Sequence, residues 1–173
     1  MLEPALPFAW LDGLAAGEAQ TALERCCASR RWVTGMLARR PFGSSARLRQ
    51  SAREVWSGLE LADYLEAFAG HPPIGASLSA LRAKFGSTHG WASEEQAGMS
   101  QADETRIRAL ELANRAYFER FGYIFIVCAT GKTAPELLEL LLARLSNPPE
   151  QELAVAAAEQ GKITELRLEK LTS

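Results

Sequence analysis

Both histidines of this 173-residue chain lie between Gly70 and Gln96, and the residue types gathered there suit acid–base chemistry. His71 opens the run His-Pro-Pro-Ile-Gly. The proline that follows disfavours the α region at His71, so the imidazole is expected at the end of a helical segment, a corner from which it can face a cavity. Further on, Ser93-Glu94-Glu95-Gln96 sets two carboxylates and an amide in the first turn of another helix. Side chains there converge on whatever occupies the space beyond the N-terminus. An imidazole that titrates near neutrality, with a carboxylate close by, can move a proton to or from a small polar or anionic molecule. The Gly70–Gln96 stretch is therefore read as the active site.

The same residues also have structural uses. His71-Pro72 is a helix-ending corner in its own right. Ser93-x-x-Gln96 has the capping-box pattern, and acidic residues favour a helix N-terminus. The two readings are compatible if Ser93 and Gln96 cap the helix while Glu95 faces the pocket. No metal site is expected, because neither H-x-x-x-H nor H-x-H spacing occurs. His89 beside Gly90 reads as a solvated loop residue, and Cys128, inside an apolar run, as a buried hydrophobe rather than a nucleophile.

The elements that must hold these residues read as helices. A turn and a helix over residues 8–28 carry Leu11, Leu23 and Cys26. A short helix follows at Trp32 and Met36. After a break at Arg40-Pro41-Phe42-Gly43, Leu48, Ala52, Val55 and Trp56 mark another, and Asp63 to Phe68 brings a last helical turn or two up to Gly70. Gly75 to Gly90 reads as a loop or flap. A long helix then places Ile107, Leu110, Asn114, Tyr117, Phe118 and Phe121 on one face and ends at Gly122. Thr133-x-x-Glu136 starts a leucine-rich helix, apolar nearly all round, central to the core or part of a subunit interface. Asn147-Pro148-Pro149 starts the last helix. Between them Tyr123 to Ala129 is β-branched and apolar, yet no partner strand is visible. Its unpaired amides are candidates for holding a substrate. The expectation is one all-α domain over 1–173, of roughly eight helices with one extended segment.

Composition excludes other classes. Acidic residues (21) slightly outnumber Lys plus Arg (19), so no overall positive field favours nucleic acid or an anionic membrane. Three cysteines, two of them adjacent at Cys26 and Cys27, form neither a disulfide framework nor a zinc-binding pattern. No apolar run is long enough to span a bilayer and no leader is visible. A soluble cytoplasmic protein acting on a small molecule is expected. A non-catalytic helical interaction domain, with the leucine-rich helix as docking face, is the alternative from another class.

With these residues in view, the sequence resembles the OHCU decarboxylase family, which acts on 2-oxo-4-hydroxy-4-carboxy-5-ureidoimidazoline. The likeness rests on Cys26-Cys27-Ala28-Ser29 with Trp32, Arg40-Pro41-Phe42, His71-Pro72 with Ile74-Gly75, Glu95-Gln96, Asn114 with Tyr117, Phe121-Gly122, Arg144-Leu145 with Asn147, and Lys162-Ile163 with Arg167-Leu168. Their order and spacing together are specific. The resemblance implies an all-helical homodimer, without cofactor, that forms (S)-allantoin in urate catabolism. It implies that His71 is the catalytic proton donor, Pro72 a wall of the pocket, Glu95 and Gln96 polar partners of the substrate, with Glu94 beside them, and 125–129 the amide-rich segment. The family serine falls on Ala92, with Ser93 one residue later. A related cofactor-free decarboxylase or hydrolase acting on another ring is the second alternative.

Overall fold

The computed structural model describes residues 6–71 and 101–171, the side chains of 101–103 excepted. Several helix starts follow the local cap chemistry of the sequence. Ser29 Oγ accepts from the Trp32 amide at 3.3 Å, and Ser44 Oγ from the Arg47 amide at 3.1 Å. Thr133 Oγ1 accepts from the Glu136 amide at 3.3 Å while Glu136 Oε2 accepts from the Thr133 amide at 2.9 Å. Each satisfies amides that a helix leaves without an internal partner. Among the described residues there are eight helices: α1 (Pro7–Gly13), α2 (Ala16–Glu24), α3 (Arg30–Ala38), α4 (Ser45–Ser57), α5 (Leu61–Ala69), α6 (Gln101–Phe121), α7 (Ala134–Leu145) and α8 (Pro149–Glu169). The all-α expectation holds.

The helices form two compact units, one of residues 1–71 with 157–173, the other of 72–156. In the first, Leu11, Leu23, Trp32, Met36, Phe42 and Leu168 lie at the centre of the core. Trp32 carries its polar atom inward and satisfies it, donating from Nε1 to the Ala52 carbonyl at 3.2 Å. Burial therefore keeps its apolar gain without an orphaned donor. Helix α3 comes so close to α4 that a Cβ at Gly35 would stand 2.6 Å from Val55 Cγ1. The Arg40-Pro41-Phe42 motif is a clamp on α1. The Asp12 carboxylate accepts from the Phe42 amide at 2.8 Å and the Gly43 amide at 2.9 Å. Arg40 Nη2 donates to the Leu14 carbonyl at 2.5 Å, where the end of α1 presents negative partial charge. Gly43 takes φ +75°, the left-handed region this turn needs.

The second unit packs α6 on α7, with Ile107, Leu110, Tyr117, Phe125, Leu137 and Leu141 buried. Gly122, at φ +80°, ends α6 as expected, its amide donating to the Phe118 carbonyl at 2.8 Å. Phe118 does not share the buried stripe: it is 53% exposed. Ile107, Leu110, Ala113 and Tyr117 repeat every three or four residues, and Phe118, one position past Tyr117, is turned about 100° away from them. Leu140 and Leu142 of α7 are likewise exposed while Leu137 and Leu141 are buried, so only one side of that helix enters the core.

Residues 124–129 form neither helix nor strand, and a buried polar cluster holds them. Glu152, fully buried, accepts from Tyr117 Oη at 2.5 Å, Arg144 Nε at 2.7 Å and Asn147 Nδ2 at 2.9 Å. Arg144 Nη1 donates onward to the Ile126 carbonyl at 2.7 Å, and the guanidinium lies 4.5 Å from the Phe125 ring centroid. Burial and the Glu152 carboxylate both push the Tyr117 hydroxyl well above its ordinary value.

Candidate active site

His71 sits one residue past Gly70, the residue that caps α5, with its amide donating to the Phe68 carbonyl at 3.2 Å. The sequence allows this corner for a steric reason. A Cβ at Gly70 would stand 2.4 Å from the Ala28 methyl carbon, so glycine lets the end of α5 close on the segment joining α2 and α3. The ring of His71 is half-buried, and α8 supplies a partner to each nitrogen. Gln160 Oε1 lies 2.5 Å from Nε2. Arg167 Nη2 lies 3.4 Å from Nδ1. A carboxamide oxygen only accepts and a guanidinium only donates, so the arrangement selects the tautomer with hydrogen on Nε2 and a lone pair on Nδ1.

Each partner is itself held. Gln160 is fully buried, and its Nε2 donates to Thr164 Oγ1, one turn on, at 3.1 Å. Arg167 Nη1 reaches the Cys26 carbonyl at 3.5 Å. The helix carrying them is fixed in register by Trp56, which donates from Nε1 to the Ala157 carbonyl at 2.9 Å, and by Arg53, whose fork meets Glu165 at 2.6 and 3.0 Å. Beside the cluster the two adjacent thiols are buried, and burial pushes them up, Cys26 to about 12 and Cys27 to about 11. They are small core groups rather than nucleophiles at neutral pH.

Of the residues that the sequence points to, His71 is where a corner imidazole belongs. Pro72, Ala92, Ser93, Glu94, Glu95 and Gln96 lie outside the described residues, as do His89 and the loop around it. In the second unit, Phe125, Ile126 and Val127 are buried and Cys128 and Ala129 partly so. What the structure adds at His71 is Gln160 and Arg167. Arg167 belongs to the family pattern, whereas Gln160 falls in no motif. A signal was present: Ala156, Gln160, Thr164 and Leu168, four residues apart, are all buried on α8, and two polar residues inside such a stripe call for partners. Among the described residues, no group of three or more His, Cys, Asp or Glu side chains is placed to hold a metal ion, and no helix is long and apolar enough to cross a membrane.

Fold and relatives together place the chain in an all-helical family. Residues 12–169 match the family model described as OHCU decarboxylase, and the chain belongs to that family. A uric acid degradation bifunctional protein of Arabidopsis thaliana is 37% identical over 150 residues, 86% of this chain, and the chain spans only 45% of that protein. The 2-oxo-4-hydroxy-4-carboxy-5-ureidoimidazoline decarboxylase of Amia calva is 32% identical over 76% of this chain and 74% of its own length. A crystal structure of OHCU decarboxylase in the presence of (S)-allantoin superposes with a TM-score of 0.69 at 34% identity, covering 86% of this chain and 95% of that one.

Proposed function

We propose that this chain removes carbon dioxide from 2-oxo-4-hydroxy-4-carboxy-5-ureidoimidazoline to give (S)-allantoin, with His71 as its acid–base group. The observation that carries the assignment to His71 is the imidazole held between Gln160 and a guanidinium. The substrate's name states the chemistry required: C4 bears both a hydroxyl and a carboxylate, beside a C5 doubly bonded to nitrogen. As the bond from C4 to the carboxylate breaks, its electron pair forms a C4–C5 double bond and the imine pair moves onto nitrogen, which takes a proton from water. The resulting enol must lose its hydroxyl proton and gain one at C5. A neutral imidazole beside the ring does both, receiving the first proton at Nδ1 and delivering it as the donor to one face of C5. The substrate is its own electron sink, which agrees with a sequence that carries no motif for a carbanion-stabilising cofactor.

Arg167, close to that nitrogen, is suited to the planar carboxylate. Glu95 and Gln96 are read as partners of the ring hydroxyl and ureido groups, Pro72 as a wall, Ser93 in place of the family serine at Ala92, Glu94 as the neighbouring acid, and the amides of 125–129 as donors to carbonyl oxygens. We read the enzyme as a cytoplasmic homodimer. Free cysteines and apolar residues exposed on α6 and α7, Leu112, Phe118 and Leu142, support that reading.

The test generates the substrate in situ from urate with the two preceding enzymes and follows optical activity. Rapid formation of one allantoin enantiomer is expected. His71→Asn is expected to lower turnover by about a hundred- to ten-thousand-fold with an unchanged circular-dichroism spectrum. Slow racemic product from the wild-type chain would support the non-catalytic interaction domain, and near-normal turnover by the variant would remove His71 from the mechanism.

A further inference from the structure

The structure assigns Gln160 as a positioning residue, one that fixes the tautomer and the direction of the His71 ring without touching the reacting atoms. This rests on the reading of His71 given above. A fully buried carboxamide must find partners for its oxygen and its nitrogen. Its oxygen meets His71 Nε2 and its nitrogen meets Thr164 Oγ1, itself buried. Thr164 can meet either end of the amide; it is Arg167, a donor only, at Nδ1 that puts the hydrogen on Nε2 and so calls for the amide oxygen on that side. The chain of contacts runs from the middle of α8 to the corner after α5, residues 89 apart in sequence.

The consequence is a division of labour between the two ring nitrogens. Nε2 is anchored inward on Gln160 at 2.5 Å, whereas Nδ1 meets Arg167 only at 3.4 Å, so that Nδ1 is the nitrogen presented for proton transfer once the guanidinium turns to the substrate carboxylate. Which nitrogen of a histidine carries its proton is set by the hydrogen bond the other makes. A ring free to rotate or to exchange tautomers would hold the reactive lone pair in place for only part of the time.

Two variants separate positioning from packing. Gln160→Leu preserves volume and apolar contact but deletes the acceptor. Gln160→Glu keeps an acceptor at the same place and adds a charge that favours imidazolium. Positioning predicts that Gln160→Leu lowers kcat by about tenfold to a hundredfold, as with other residues that orient a functional histidine, and leaves KM within about twofold. It predicts that Gln160→Glu restores most of kcat and moves the acid limb of the pH profile to higher pH. A purely structural role orders them the other way, with the isosteric leucine active and the buried glutamate impaired, and that order overturns the proposal.

Nitrogen-15 spectra of the imidazoles, assigned with His71→Asn, read the tautomer without substrate. The wild type is expected to show hydrogen on Nε2 of His71, and Gln160→Leu a mixture or a freely turning ring. Identical spectra for the two proteins would also overturn the assignment. Failure of the underlying reading shows separately, as a wild-type chain with no decarboxylase activity.

Discussion

Replacing Arg144 with methionine tests what holds the segment 124–129 in place. The arginine is 8% exposed and Glu152 fully buried, with the guanidinium Nε and Nη2 at 2.7 and 2.6 Å from the same carboxylate oxygen. Methionine fills part of the volume but leaves Glu152 without its cation and the Ile126 carbonyl without its donor. Removing one partner of a buried ion pair costs about 3–5 kcal/mol, because the other charge stays behind uncompensated. Against a total of about 5–15 kcal/mol, that is a large fraction. Glu152→Gln is milder, at about 1–3 kcal/mol. Its amide oxygen still accepts from Tyr117 or Arg144, and the guanidinium retains the Ile126 carbonyl and the Phe125 ring. Urea denaturation followed by far-ultraviolet circular dichroism measures both. A loss below about 1 kcal/mol for Arg144→Met would show that the cluster is not held by a buried charge in need of its partner.

Two further outcomes follow from other parts of the molecule. Gly70→Ala drives a methyl group into Ala28, so a stability loss of about 1–3 kcal/mol is expected from overpacking. Turnover should fall together with it because His71 follows directly. Thermal melting and kcat check this, and an alanine variant as active and stable as the parent would mean the close approach is not needed. The thiols give a pH dependence. The fold raises Cys26 to about 12 and Cys27 to about 11 from an ordinary 9.0, so the folded chain binds more protons than the unfolded one above pH 9. Their contribution is intact below that pH and is lost at up to about 1.4 kcal/mol per pH unit per thiol as pH rises. Urea titrations at pH 8 and 10 should show a steeper loss for the parent than for Cys26→Ala/Cys27→Ala, and equal slopes would place the thiols' ionisation outside the alkaline response.

Local chemistry was legible and long-range polar pairing was not. Ser29, Ser44 and Thr133 act on amides three residues away, so cap and consequence sit in one short window of sequence. Gly122 and the proline at the start of α8 punctuate the chain in the same way. The buried stripe of α6 was read too wide at Phe118, because aromatic character alone does not say which side of a helix meets the core. Tyr117 and Asn114 lie on the one face expected of α6, where polar groups call for partners. Tyr117 finds Glu152, 35 residues away, whereas Asn114 turns back to the Leu110 carbonyl on its own helix. Nothing local distinguishes these outcomes, since which partner arrives is decided by tertiary packing. The same holds for Gln160 and His71.

The chemistry proposed for His71 explains why its surroundings break local rules. A substrate that supplies its own electron sink leaves the protein mainly one task, keeping a proton-carrying group in a fixed direction. A histidine after the last turn of a helix is poorly suited to this on its own, since no preceding helical ladder orients its ring. Stiffness must come from neighbours, and each neighbour is a residue that an ordinary core would not choose. A glycine permits the contact with Ala28, and a glutamine and a threonine occupy the apolar stripe of α8 where leucines would pack better. Such departures persist where function requires them. Restoring the expected residue at any of the three should therefore leave a helical chain while loosening the His71 ring.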